Sequence, residues 1–92
     1  MDIAKQLATH LVTEKLAACV NIMPQVTSIY QWQGEIQQDS ELQLIIKTTV
    51  NNFNALSDAI SQLHPYDVPE IIAVDIVNGN QPYLNWISES LK

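Results

Sequence analysis

Val26-Thr27-Ser28-Ile29-Tyr30-Gln31-Trp32-Gln33-Gly34-Glu35 decides the fold of this chain. β-branched and aromatic residues alternate with polar ones up to Trp32, which is the chemistry of a strand. Gln33-Gly34 then supplies a two-residue turn, because glycine accepts the positive φ that tight hairpins require. The returning arm opens with polar Gln37-Gln38-Asp39-Ser40, where the pattern predicts a bulge or kink. From Glu41 to Thr49 it alternates, with Leu42, Leu44 and Ile46 on one face and Glu41, Gln43 and Lys47 on the other. The two arms make a long hairpin for a small protein.

Upstream, Cys19-Val20-Asn21-Ile22 begins a strand that Pro24 bends or interrupts. Before it, Ile3, Leu7 and Leu11 recur every fourth residue, and Ala4, Ala8, Val12 and Leu16 widen the stripe. This is an amphipathic helix, with Asp2 at the N-cap position. Downstream, Asn51 or Asn52 caps a second helix bearing Phe53, Leu56, Ile60 and Leu63. His64-Pro65 ends it, since proline disfavours helical geometry in the residue before it. Residues 66–70 form a stiff connector. Ile71 to Val77 is a nearly continuous apolar run, expected to be a strand buried on both faces. Asn78-Gly79-Asn80 turns the chain, and Pro82 opens a final helix with Tyr83, Leu84, Ile87 and Leu91.

The order α-β-β-α-β-α becomes β-α-β-β-α-β plus a terminal helix if one strand is added in front. The fold class is therefore α+β, ferredoxin-like (split βαβ), with a long hairpin, a C-terminal helix and the first strand missing from this sequence. In that topology the strands lie in the order 4-1-3-2, so the missing strand is central.

Residues 1–92 read as one domain. The lone Cys19 excludes an internal disulfide framework and a one-chain zinc finger. Association with copies of itself is then the remaining support for so small a core. Ten acidic residues against four basic ones give a net charge of −6, which disfavours nucleic acid and anionic membrane surfaces and is compatible with cations. No apolar run reaches the roughly 20 residues that span a bilayer. No signal peptide is visible, so the expected compartment is cytoplasmic.

Five segments together go beyond a fold class. They are Leu16-Ala17-Ala18-Cys19-Val20-Asn21, Ser28-Ile29-Tyr30-Gln31-Trp32-Gln33-Gly34, Ile46-Lys47-Thr48-Thr49, His64-Pro65-Tyr66-Asp67-Val68-Pro69-Glu70-Ile71 and Tyr83-Leu84-Asn85-Trp86-Ile87. In this order they resemble the CutA divalent-cation tolerance family, over nearly the whole chain. The resemblance implies a tight homotrimer with strands crossing subunit boundaries. It also implies a shape similar to the PII signalling proteins and a link to tolerance of copper and other divalent cations. Family members carry a strand before the first helix. Met1 is therefore expected to be an internal methionine, with about a dozen upstream residues encoding one strand and a turn.

His64 is the leading metal candidate, because imidazole suits copper and zinc. In bacterial relatives the resemblance assigns copper to a first-strand cysteine and two adjacent histidines before Pro-Tyr. Only the second histidine corresponds here, as His64, while Leu63 stands in place of the first. Cys19 offers a thiol to soft metals, with a small buried hydrophobe as the other reading. Lys47, Glu70, Tyr66, Trp32 and Tyr30 are expected to line an inter-subunit cleft suited to a small anion or a metal complex. A structural Lys47–Glu70 ion pair is the plainer alternative. His10 reads as a surface residue, and Tyr83 and Trp86 as helix packing.

No nucleophile motif is present, and two glycines exclude a glycine-rich phosphate cradle, so the chain does not read as an enzyme. The expected function is copper or other divalent-cation tolerance and response in a metal-binding trimer. The alternative is a PII-like trimeric sensor or scaffold that binds a small anion or a protein.

Overall fold

A computed structural model describes residues 1–63 and 70–92. Its elements are α1 (Asp2–Thr13), β1 (Cys19–Trp32), β2 (Glu35–Lys47), a short 3-10 turn (Val50–Asn52), α2 (Phe53–Leu63) and α3 (Gln81–Glu89). The architecture is α+β, with helices packed at the base of an antiparallel pair of strands.

α1 starts one residue earlier than its sequence suggests. Met1 takes the N-cap position and makes no side-chain cap, while Asp2 lies in the first turn. There its carboxylate faces the positive end of the helix dipole. The helix stops in a Schellman motif. Leu16 N–H donates to the Leu11 carbonyl at 2.9 Å, and Lys15 N–H to that of Val12 at 3.1 Å. Leu11 and Leu16, at the two ends of this motif, both belong to the buried core. The motif needs a left-handed residue, and Lys15 occupies that place with φ 60°. Lys15→Gly removes a steric cost of about 1–2 kcal/mol and adds unfolded-chain entropy worth about 0.4–1 kcal/mol. A net gain of about 0.5–1 kcal/mol is expected, measured as a rise in the urea midpoint with unchanged slope.

The hairpin turns at Gln33 (φ 51°) and Gly34 (φ 81°), a two-residue turn with positive φ at both positions. Trp32 pairs with Glu35, and the ladder runs back to Cys19 opposite Lys47. The bulge lies on β1 and not at residues 37–40 of the returning arm. Between the pairs Met23–Gln43 and Val26–Glu41, two residues of β1 oppose one of β2. Pro24 has no N–H to give the ladder, and Gln25 beside it takes φ 59°, so the irregularity settles there.

The core is formed by Leu7, Leu11, Leu16, Ala17, Leu56 and Ile60, with Val20, Leu44, Ile46, Ala59 and Ile71 packed against it. In α1 the buried face is Ala4, Leu7 and Leu11. Ile3 and Val12, expected in the stripe, are exposed. Thr48 Oγ1 donates to the Leu16 carbonyl at 2.8 Å and ties the end of β2 to the α1–β1 turn. The 3-10 turn leads into α2, with buried Asn52 accepting from Thr49 Oγ1 at 2.8 Å. Asn80 caps α3 by accepting from the Tyr83 N–H, and Pro82 sits in the first turn.

The apolar run Ile71–Val77 departs most from expectation. It belongs to no sheet, and beyond half-buried Ile71 it is exposed. A strand buried on both faces needs a hydrogen-bonded neighbour and two packed layers. The described sheet has two strands, β1 and β2, and neither pairs with this run.

Candidate functional site

The base of the hairpin holds the densest chemistry among the described residues. Pairing sets Cys19, the first residue of β1, opposite Lys47, the last of β2. Cys19 is a free, half-buried thiol, so it is less enclosed than a core hydrophobe. The Lys47 Nζ lies over the Tyr83 ring, 5.7 Å from its centroid. Tyr83 in turn stacks on Trp86, with centroids 5.6 Å apart and planes inclined by 28°. A hydrogen bond with the Tyr83 phenol holds the Lys47 ammonium above the usual lysine range, and the charges of Tyr83 and Cys19 act in the same direction. Lys47 is therefore a fixed cation at neutral pH, positioned by an aromatic pair.

Tyr83 and Trp86 read as packing residues in the sequence, yet both keep substantial exposure. Their sequence signal lies in their phase. Leu84, Ile87 and Leu91 make the apolar stripe, and the two aromatics fall beside it, three residues apart. Ile87 is the buried residue of α3, so the aromatic pair is turned outward.

Tyr30 and Trp32 occupy the opposite end of the molecule. β1 is 14 residues long, which separates them from Cys19 and Lys47 by about 36–43 Å. The longest dimension of the chain is 46 Å. Within one chain the cleft set does not assemble. Tyr30 donates its phenolic hydrogen to Asp39, and that bond, followed by partial desolvation and the Asp39 and Glu41 charges, raises its pKa. Ser28 Oγ donates to Glu41 Oε2 at 3.0 Å along the same face. These two carboxylates are thus engaged by hydroxyl donors. Glu70 is exposed at the head of the extended run. His64 and Tyr66 lie outside the described residues. His10 is exposed on α1. Among the described residues, no three His, Cys, Asp or Glu side chains come together as a metal-ligand group.

Comparison with known proteins sets this geometry in context. The family model described as CutA1 divalent ion tolerance protein matches residues 1–90. A divalent-cation tolerance protein CutA from Thermus thermophilus is 52% identical over 89 residues, covering 97% of this chain and 86% of the relative. Human Protein CutA is 47% identical over 87 residues, covering 95% of this chain but 49% of its own length. The chain thus spans about half the length of that animal relative. The solved divalent cation tolerance protein (Cut A1) from Thermus thermophilus superposes with a TM-score of 0.94 at 50% identity, covering 99% of this chain and 88% of that one. At that identity the likeness extends beyond fold to the divalent-cation tolerance proteins as a group.

Proposed function

This chain belongs to the CutA1 divalent ion tolerance family, and from that premise we propose that it binds copper or another divalent cation as a homotrimer in the cytoplasm. The observation that carries the reading is the family match along residues 1–90. Three features support it. The net charge of −6 favours cations over anions around the molecule. Cys19 keeps part of its surface exposed, and thiolate and imidazole are donors that copper accepts. A single free thiol also fits a reducing compartment. His64 and Cys19 are the proposed ligands, with their shell completed by copies of the same residues in the assembly. The protein acts by holding the ion and not by turning over a substrate.

Titration calorimetry with Cu(II) tests this. Micromolar or tighter binding is expected for the native chain. Loss of one imidazole from the shell in His64→Ala is expected to weaken it at least tenfold. Unchanged affinity in that variant removes His64 from the site.

A second reading draws on Lys47 and its aromatic support. A fixed ammonium beside a stacked Tyr83–Trp86 pair suits a small anion at an inter-subunit cleft, as in a PII-like sensor. Binding that persists in chelator and falls in Lys47→Gln would favour this reading over the metal site.

A further inference from the structure

We propose that Asn78-Gly79 is a self-modifying site, where Asn78 deamidates through a cyclic imide and leaves isoaspartate directly before the cap of α3. Asn78 is the one asparagine of the chain that precedes glycine. Glycine has no Cβ to shield its amide nitrogen, so that nitrogen approaches the preceding side chain closely. Both residues are exposed, and Asn78 stands at a bend outside every helix and strand. The Gly79 N–H donates to Asn78 Oδ1 at 3.0 Å. That bond holds the side-chain carbonyl against the nitrogen that attacks it and polarises its carbon. Every other asparagine precedes a residue with a side chain and lies in a helix, a strand, the 3-10 turn or, for Asn80, a helix cap.

The step balances with water as its co-reactant. Hydroxide takes the proton of the Gly79 amide, and the nitrogen bonds to Asn78 Cγ. The Cγ–Nδ2 bond breaks, and ammonia leaves with a proton from water. Water then opens the imide. Addition at Cγ gives aspartate. Addition at the main-chain carbonyl carbon gives isoaspartate, with the chain rerouted through Cβ and Cγ. Aspartate adds only a negative charge, which the N-terminal end of α3 accepts. Isoaspartate also lengthens the main chain, and the surroundings resist that. A Cβ built on Gly79 would lie 3.0 Å from Leu84 Cδ2, so the backbone here is held against α3. The next residue, Asn80, accepts the Tyr83 N–H at 3.3 Å with its side chain and the Leu84 N–H at 3.0 Å with its carbonyl. Displacing Asn80 therefore uncaps the first turn of α3, and with it Tyr83, whose ring lies under Lys47.

Peptide mapping of the native chain aged in mildly alkaline buffer tests the proposal, with a synthetic peptide of residues 74–84 as the reference. Asn78 is expected to show the mass gain of an amide-to-acid exchange about tenfold or more faster than any other asparagine. Isoaspartyl methyltransferase with labelled S-adenosylmethionine should mark the same segment. Asn78→Gln, which would have to close a larger ring, should stay unmarked. In the isoaspartyl fraction, separated by chromatography, the amides of Tyr83 and Leu84 should exchange hydrogen about tenfold faster than in the unaged chain. In freshly prepared Asn78→Asp they should keep the native rate, because charge is added there without lengthening the chain. A folded chain that reacts at Asn78 about tenfold or more slowly than the reference peptide would mean that the fold protects this amide, and would overturn the proposal. Modification spread evenly over the asparagines, or native exchange at Tyr83 and Leu84 in the isoaspartyl fraction, would also overturn it.

Discussion

Leu11→Ala is expected to lower the stability of the folded chain by about 3–5 kcal/mol. Leu11 is the fully enclosed large side chain of the core, at 0% exposure. It sits where α1 meets α2 and shares a cluster with Leu7, Leu16, Leu56 and Ile60. It also serves the helix end, since its carbonyl accepts the Leu16 N–H of the Schellman motif and the Ala17 N–H at 3.2 Å. The backbone bonds survive truncation, but the apolar contact that accompanies them does not. A domain of this size has about 5–14 kcal/mol in total, so this one cavity removes a large share. At about 4–8 °C per kcal/mol, a melting point lower by about 12–40 °C is expected by calorimetry. Val12→Ala, on the exposed side of the same helix, should shift it by no more than a few degrees. A loss below about 1 kcal/mol in Leu11→Ala would show that the core lies elsewhere.

Ile36→Glu is expected to reduce the proposed homotrimer to single chains. The ladder places Ile29 and Ile36 on one face of the hairpin tip, and Tyr30 and Trp32 on the other. Ile29, Ile36 and Trp32 are exposed by 68%, 72% and 62%. A hairpin with apolar residues uncovered on both faces calls for partners on both sides, as strands crossing between subunits of a closed ring provide. Closed symmetry then repeats a buried carboxylate in every interface, and each such substitution at a contact centre costs about 2–4 kcal/mol. Light scattering on a sizing column should change from three times 10.3 kDa to one times that mass. Asn54→Glu, on the exposed side of α2, should leave the mass unaltered. An unaltered mass in Ile36→Glu would place the hairpin tip outside the interface.

The parts legible in the sequence are those with short-range causes. Gly34 between two strand-like runs announces the hairpin turn, because glycine takes the positive φ that a two-residue loop requires. The i, i+4 recurrence of Leu7 and Leu11 announces α1, and Pro82 after Asn80 announces the start of α3. Residue chemistry in five segments points to the family that comparison then shows. Of the candidate site, the pairing of Cys19 with Lys47 is implicit in the hairpin register. Its support by Tyr83 and Trp86 is not, because α3 lies more than thirty residues away in sequence. The bulge falls elsewhere than the sequence suggests because a polar stretch resembles one, whereas Pro24 with Gln25 produces it through a missing donor and a left-handed backbone.

Sequence by itself determined the helices and the hairpin, the order in which they follow one another and the family, since helix period, turn chemistry and family motifs are written in neighbouring residues. Tertiary structure alone decided which faces are covered. The same periodic stripe left Ile3 outside and Leu11 inside. The same apolar run from Ile71 to Val77, fit for burial on two sides, lies uncovered beside a two-stranded sheet. Burial depends on what stands opposite, and an apolar pattern records the need for a neighbour without supplying one.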